Sequence, residues 1–321
     1  MKSISELLDT FETYYKKQKW EEKYDVYEAS KYIMDMNGKR IRPLLTMLSS
    51  QMFGADIKMS LPIALAVEIF HNCTLVHDDI MDKANKRRGL PTVHKKYSQN
   101  IAINTGDLMF ALSYKYLNQT KKDNIVELNN IFNDTIVKVI EGQSLDMKYE
   151  NIDIVSESEY LEMIKGKTSV LLACALKMGA WVANASPKNQ KLIYDFGLNL
   201  GLSFQIQDDY LDAFGDNKKV GKKIGGDILL NKKTILQIKT NEFSNTNQKA
   251  ALLKLKNEKD KSKKINGIKK LMEETGAKKY TENLIENYYK KSIKNLSSIE
   301  ISDGRKMPLL EMAKYLKERD K

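Results

Sequence analysis

The run LPIALAVEIFHNCTLVHDDIMD, from Leu61 to Asp82, passes directly from an apolar segment to three aspartates. Its apolar residues recur at three- and four-residue spacing, which predicts an α-helix rather than a strand. The three carboxylates therefore close a helix. Acidic groups are disfavoured at that end because a helix C-terminus carries a partial negative charge. Something positive must offset them, and the run itself contains no lysine or arginine.

The helical pattern extends along most of the 321 residues, of which 42% are hydrophobic, enough for a buried core. Only 5 prolines and 16 glycines interrupt it, so we predict an almost entirely α-helical protein. No linker divides the chain, and we treat residues 1–321 as a single domain. We expect one helix over 60–81, opened by Ser60 and Pro62, and another over 187–213. A capping box is expected at Ser156 and Glu159, and loops are expected at GLPT and from Phe214. The lysine-rich stretch over 254–270 is expected to be a surface helix pair or a loosely ordered connection.

Charge and cysteine content narrow the functional classes. The net charge of +11 reflects either lysine-rich solvated helix faces or a surface for polyanions such as nucleic acid, membranes or phosphate-bearing substrates. No arginine-rich run with interleaved aromatics favours nucleic acid. The only cysteines, Cys73 and Cys174, lie in apolar helical patterns, as expected for buried thiols in a reducing compartment. We see no signal peptide or transmembrane segment and expect a cytoplasmic protein.

A second acidic motif repeats the first. QIQDDYLD, at 205–212, has the same D-D-x-x-D form as LVHDDIMD, and both end apolar helical patterns. The outer aspartates of each motif lie one helical turn apart on one face, with Cβ atoms about 5–6 Å apart. Oxygen ligands suit hard cations, and Mg²⁺ is commonly bound through one or two carboxylates plus substrate phosphates. An acidic surface helix end would explain one motif alone. Two motifs favour a metal cluster around a diphosphate, held by opposed faces across a cavity.

Basic residues follow or precede these motifs, and each alone is typical of a solvated surface. Arginine's planar fork suits phosphate oxygens, so the adjacent arginines after the first motif are the stronger candidates. The candidates are Lys39 and Arg42 in GKRIRP, Arg87 and Arg88 in KRRGLPTVH, Lys167 with Thr168 in KGKTS, and Lys222, Lys223, Lys232 and Lys233 after the second motif.

Together these segments resemble the trans-isoprenyl diphosphate synthases, the polyprenyl synthetase family. The matching motifs occur in family order over roughly residues 30–235: GKRIRP, HNCTLVHDDIMD with RRGLPTVH, NTGD, EGQSLD, GKTS, FQIQDDYLD and GKKIGGDILLNKKT. The resemblance implies an all-α helical bundle around a large central cavity, usually as a homodimer. It also implies a prenyltransferase that joins isopentenyl diphosphate to an allylic diphosphate, head to tail, and releases pyrophosphate.

The resemblance also implies a role for each matching position. The Mg²⁺ ligands, for three ions, would be principally Asp78, Asp82 and Asp208, with Asp79, Asp209 and Asp212 supporting. The allylic diphosphate would be held by Arg87, Lys167, Lys222 and Lys232. Isopentenyl diphosphate would be held by Lys39, Arg42, His71 and Arg88. The developing carbocation would be faced by Thr168 and Gln205. A lone histidine on an apolar helix is usually a core residue, but His71 lies two turns before Asp78 on one face, which favours binding.

Product length depends on the helix before the first motif, along which the family extends its chain. Thr74 and Cys73, one turn before Asp78, are small and leave the path open. Phe70, about 5 Å deeper, is large enough to close it after one more isoprene unit, which favours geranylgeranyl diphosphate. The alternative is that Phe70 points elsewhere into the core, and that the product is a longer polyprenyl diphosphate.

Three alternative functions explain fewer of these sequence features than a prenyltransferase does. A terpene cyclase usually carries an N-D-x-x-S-x-x-x-E type second motif, whereas the second motif here is D-D-x-x-D. A catalytically silent partner subunit would be expected to lose one motif, and both are intact. A non-catalytic basic protein that binds surfaces would explain the charge but not the paired motifs.

Overall fold

The computed structural model describes residues 2–21, 23–215 and 225–318. Within them the helices are α1 Ile4–Lys16, α2 Asp25–Asp35, α3 Ile41–Phe53, α4 Ile57–Met81, α5 Val93–Lys96, α6 Gln99–Leu117, α7 Ile125–Glu150, α8 Glu157–Ile164, α9 Val170–Val182, α10 Pro187–Phe214, α11 Gly226–Leu229, α12 Ile235–Phe243, α13 Thr246–Lys256, α14 Lys261–Glu274, α15 Ala277–Ser297 and α16 Asp303–Glu318. A π-helical turn, Lys165–Ser169, joins α8 to α9, and strands β1 Lys86–Arg87 and β2 Leu90–Pro91 pair antiparallel. The all-α prediction is confirmed.

The chain divides into two compact units. The first comprises Met1–Asp134, Cys174–Ile193 and Glu300–Leu309, and the second comprises Thr135–Ala173, Tyr194–Ile299 and Leu310–Lys321. Helices α7, α9, α10 and α16 contribute residues to both units. The single domain over 1–321 and the central cavity stay predictions.

Helix α4 forms the centre of the first unit. It begins at Ile57, earlier than predicted, because Asp56 caps it by accepting from the backbone N–H of Lys58. Ser60 does not cap; its hydroxyl donates to the carbonyl of Ile57, and Pro62 lies inside the helix. In the described part of the chain, α4 alone is long and apolar enough to span a membrane, but 78% of its apolar window is buried. A helix apolar on all sides is typical of a protein core.

Helix α4 packs along α6 at unusually close range around Gly106. A Cβ atom at Gly106 would lie 2.0 Å from Nε2 of His77, so a larger residue there would have to displace that imidazole ring. One turn earlier, the Sγ atom of Cys73 lies 3.2 Å from the carbonyl oxygen of Gly106. Both Cys73 and Cys174 are buried and neither forms a disulfide, as predicted from their apolar surroundings.

The second unit contains two apolar clusters. One includes Tyr160, Leu202, Ile206 and Ile235, and the other joins α11 to α14 around Ile268. The capping box at Ser156 and Glu159 is present with both hydrogen bonds, and α10 matches its predicted bounds. The lysine-rich stretch is the predicted helix pair, α13 and α14.

Two predicted loops differ in the structure. GLPT contributes Leu90 and Pro91 to the β1–β2 hairpin, whose turn contains Arg88 and Gly89 at positive φ. Of the predicted loop from Phe214, residues 216–224 lie outside the described residues, and the part at Gly226–Leu229 is α11.

Candidate active site

The first acidic motif forms the last turn of α4. Asp78 is half-buried and Asp82, the C-cap residue, is exposed, so both carboxylates are accessible to ligands. Asp79 points the other way and is 1% exposed. The motif therefore separates two accessible carboxylates from a buried one.

The buried carboxylate has a protein partner. Arg87 donates from Nε to both oxygens of Asp79, at 2.9 and 2.8 Å, and its Nη2 lies 2.7 Å from Oδ1. The β1–β2 hairpin reverses the chain and brings the Arg87 guanidinium to the C-terminal end of α4. Its Nη2 atom also lies 3.9 Å from Oδ2 of Asp78. Burial raises the pKa of Asp79, and Arg87 opposes that shift. Part of the positive charge that the helix end requires thus comes from Arg87, and the role of Asp79 as a metal ligand stays a prediction.

Two residues assigned to isopentenyl diphosphate contact each other in the first unit. Nη1 of Arg42 lies 3.1 Å from Nε2 of His71. Burial and the surrounding arginines hold the pKa of His71 well below its usual value, so the ring is neutral and Nε2 accepts a hydrogen bond from Nη1 of Arg42. Burial also lowers the pKa of Arg42 to about 10, and Nε of Arg42 has no hydrogen-bond partner among the described residues.

Arg88 extends from the β1–β2 hairpin to the segment around Met36 and Gly38. Its guanidinium lies flat on Gly38, where an added Cβ would be 3.0 Å from Cζ, and Nη1 donates to the carbonyl of Met36. Burial lowers the pKa of Arg88, and the charges of Arg88 and Arg42 disfavour each other. Lys39, the next residue after Gly38, is exposed. Lys39, Arg42 and Arg88 therefore concentrate positive charge around the GKRIRP segment.

The second acidic motif ends α10 in the second unit. Asp208 is exposed. Asp209 accepts hydrogen bonds from the hydroxyl of Tyr160 at 2.7 Å and from Nε2 of Gln205 at 2.9 Å. Burial and the charge of Asp227 raise the pKa of Asp209 to about 8. The hydroxyl of Thr168 donates to Oε1 of Gln205, so the two residues assigned to the carbocation are in direct contact.

The lysine and threonine of KGKTS lie in the π-helical turn. The turn approaches α7 so closely that a Cβ at Gly142 would lie 2.2 Å from the backbone nitrogen of Lys167. Nζ of Lys167 forms an ion pair with Asp146 at 2.6 Å. A π-turn inserts one extra residue per turn and often marks a functional site.

The remaining assigned residues lie around α11. The Oδ2 atom of Asp212 accepts from the backbone N–H of Asp227, and Nζ of Lys232 lies 3.8 Å from the Asp227 carboxylate. Lys222 lies outside the described residues. Sequence reasoning missed three residues here: Asp146 and Asp227 stand inside quoted motifs, EGQSLD and IGGD, whereas nothing in the sequence singles out Tyr160.

The donor atoms fit magnesium. Asp78, Asp82 and Asp208 offer accessible carboxylate oxygens, the ligand type that Mg²⁺ prefers. Over 2–21, 23–215 and 225–318, no three acidic, histidine or cysteine side chains gather into a ready-made metal site. Mg²⁺ usually keeps several waters and shares its coordination with substrate phosphates, so a few separate carboxylates suffice.

Comparisons with known proteins agree with this arrangement. Residues 23–275 match the polyprenyl synthetase family. A geranylgeranyl diphosphate synthase of Sulfolobus acidocaldarius is 40% identical over 85% of this chain and 84% of its own. A geranylfarnesyl diphosphate synthase of Aeropyrum pernix is 31% identical over 91% and 94%. A crystal structure of a geranylgeranyl pyrophosphate synthase aligns over 100% of both chains with a TM-score of 0.94 and 44% identity. The chain belongs to the polyprenyl synthetase family and is a trans-prenyltransferase.

Proposed function

We propose that this enzyme condenses isopentenyl diphosphate with an allylic diphosphate, head to tail, and that its product is geranylgeranyl diphosphate. The observation that carries the proposal is that each acidic motif is accompanied by its own cations. Arg42 and Arg88 lie beside α4, while Lys167 and Lys232 lie near α10 in ion pairs with aspartates. Two sets of phosphate-binding cations suit two diphosphate substrates.

The side chains have separate tasks in this reaction. Arg87, Lys167, Lys222 and Lys232 bind and orient the allylic diphosphate. Lys39, Arg42, His71 and Arg88 bind isopentenyl diphosphate. When bound at the aspartates, Mg²⁺ supplies electrostatic stabilisation of the departing pyrophosphate. The number of ions, three by family resemblance, is part of the proposal.

Thr168 and Gln205 suit the cationic carbon. The Thr168 hydroxyl donates its proton to Gln205, which leaves acceptor lone pairs on Oγ1 for a developing positive charge. Gln205 is fixed in turn because its amide donates to Asp209. The acceptors are therefore held in place before the cation forms, and a fixed dipole costs no reorganisation during reaction.

Relatives and an aromatic wall support the geranylgeranyl product. Several relatives at 37–40% identity are geranylgeranyl synthases. One turn before Cys73, Phe70 packs edge-on against Phe110 and Phe132, with ring centroids 6.2 and 5.6 Å away. Three rings at this depth of α4 would stop a growing chain.

A longer product, such as geranylfarnesyl diphosphate, is the second candidate. His71, Thr74 and Asp78 share the partly accessible face of α4, whereas Phe70 is 1% exposed and turned toward rings of α6 and α7. A chain that follows the accessible face would pass beside Phe70 instead of meeting it. Two relatives are named as geranylfarnesyl synthases.

Product analysis tests the proposal. The protein would be incubated with Mg²⁺, radiolabelled isopentenyl diphosphate and farnesyl diphosphate, and the dephosphorylated products separated by chromatography. We expect geranylgeraniol as the main labelled alcohol. A C25 or longer main product would favour the second candidate, and no labelled prenyl alcohol from any allylic starter would contradict the proposed reaction.

We also propose a cytoplasmic homodimer. Ile103 and Phe110, two turns apart on α6, are 40% and 37% exposed, an apolar face that a second copy would cover. Two buried thiols that form no disulfide suit a reducing compartment. Ile103→Glu should shift the protein to monomer in light scattering, and an unchanged mass would contradict this face as the contact.

A further inference from the structure

Arg40 differs from its neighbours in the GKRIRP segment. Lys39 and Arg42 are assigned to substrate, but the side chain of Arg40 turns into the protein and the residue is only 6% exposed. Its backbone is left-handed, with φ 46° and ψ 36°. Residues other than glycine adopt this conformation at a cost and hold it only where the surroundings impose it. The contacts of the side chain identify those surroundings.

One guanidinium connects three helices. Nε donates to Oε1 of Glu12 on α1 at 2.9 Å, and Nη1 donates to Oε1 of Glu68 on α4 at 2.9 Å. Nη2 donates to the carbonyl of Met34 on α2 at 2.6 Å. The backbone carbonyl of Arg40 accepts from the N–H of Leu44 and starts α3. Three divergent donors in one plane are a property of arginine that lysine lacks.

Glu68 is the buried anion of this arrangement. It is 2% exposed, and its Oε1 also accepts from Nδ2 of Asn72 at 3.3 Å. Its charge favours the protonated forms of Arg40, Arg42 and Arg88 alike. A buried carboxylate without a partner is strongly destabilising, so Glu68 and Arg40 depend on each other. Arg42 and Arg88 keep surplus positive charge for an external anion.

We propose that Arg40 and Glu68 are positioning residues for isopentenyl diphosphate. Their buried ion pair fixes the left-handed turn at Arg40, and that turn presents Lys39 and Arg42 to one diphosphate. Neither residue of the pair contacts the substrate. The inference rests on the proposed function, because it takes Lys39 and Arg42 as the residues that bind isopentenyl diphosphate.

The test uses Arg40→Lys, which preserves the charge and removes the three-way contact. We expect KM for isopentenyl diphosphate to rise roughly tenfold to a hundredfold, the effect of losing charge-assisted hydrogen bonds at the segment. KM for the allylic diphosphate should change by less than about twofold, because Arg40 forms no hydrogen bond with Arg87, Lys167 or Lys232, the described residues assigned to that substrate. A merely structural role would lower the active fraction and leave both KM values unchanged.

Two further variants keep the test decisive. Glu12→Gln weakens only the most exposed of the three contacts, and we expect a rise of about threefold in KM for isopentenyl diphosphate. Tyr15→Phe is the matched control: it keeps the ring beside Arg40 but loses the hydrogen bond to Asp35 that joins α1 to α2. Both KM values of the control should match the wild type.

The outcomes separate the inference from the proposed function. An unchanged KM for isopentenyl diphosphate in folded Arg40→Lys, or an equal rise in both KM values, would overturn the positioning role. If Arg40→Lys does not fold, Glu12→Gln decides by the same criterion. A wild-type protein that consumes no isopentenyl diphosphate would instead overturn the proposed function.

Discussion

The aspartates at the ends of α4 and α10 differ in availability. Asp78 is half-buried and Asp208 is exposed, so both carboxylates are accessible to ligands. Asp79 is buried and accepts hydrogen bonds from Arg87, and Asp209 accepts hydrogen bonds from Tyr160 and Gln205. The accessible carboxylates are therefore the principal candidates for metal, and their engaged neighbours hold the surrounding structure.

Removing an accessible carboxylate should abolish turnover and leave the fold. Asp78→Ala or Asp208→Ala should each lower kcat by about a hundredfold or more, because an electrostatic contribution of this kind is typically worth that much. Asp303→Ala, at a 93% exposed side chain on α16, is the control and should stay active. Pyrophosphate release and helical circular dichroism would be measured on each variant. Near-normal turnover in both motif variants would remove the metal assignment.

His71 should make stability depend on pH. Its pKa is held below the ordinary value of about 6.5, so below that pH the unfolded chain binds a proton that the folded protein refuses. Stability is therefore present above pH 6.5 and is lost as pH falls, at up to about 1.4 kcal/mol per pH unit. His71→Gln should flatten the decline between pH 7 and 5 in urea unfolding. Equal slopes for both proteins would contradict a neutral His71 in the folded protein.

Helices α4 and α6 together form the proposed wall of the product site. Cys73→Phe should shorten the product, because the added ring fills space one turn before Asp78 next to Gly106. Phe70→Ala should lengthen it by opening the aromatic cluster. Chromatography of dephosphorylated products measures both effects. The same product distribution in both variants would show that this part of α4 does not set chain length.

Periodicity and capping chemistry explain which elements were predictable. α10 and the capping box at Ser156 depend on local sequence, and both were predicted correctly. The start of α4 was misplaced because Asp56 and Ser60 both resemble caps, and only the folded chain decides which one accepts from the backbone. The π-turn was not predicted, because it results from the tertiary contact of Gly142 with Lys167.

Some site residues could be predicted from local sequence, and others could be found only in the folded structure. The aspartates and arginines follow from motif chemistry, since few groups bind magnesium or diphosphate. Tyr160, Arg40 and Glu68 do not, because a buried tyrosine or ion pair has no sequence signature until the elements pack. The contact between Asp79 and Arg87 was also missed, because Arg87 was assigned to substrate. A hairpin brings Arg87 back to the end of α4, and its two-residue strands are too short to leave a pattern in the sequence.

Across the whole protein, the basic residues lie in different environments. Much of the surplus of +11 comes from lysines, including exposed ones on α13 and α14, while Arg40, Arg42 and Arg88 lie close enough for their charges to interact at the segment assigned to isopentenyl diphosphate. Net charge alone would also suit nucleic acid or a membrane surface. The family match and the clustering of these arginines favour diphosphate substrates.

The central claim is a magnesium-dependent condensation of two diphosphates, and pyrophosphate release tests it most directly. The purified protein would receive isopentenyl diphosphate, an allylic diphosphate, or both, each with and without Mg²⁺. We expect rapid release only when both substrates and the metal are present, with one prenyl alcohol longer than the starter after dephosphorylation. Release from the allylic diphosphate alone at the full rate would indicate cyclisation or hydrolysis, and would contradict chain elongation.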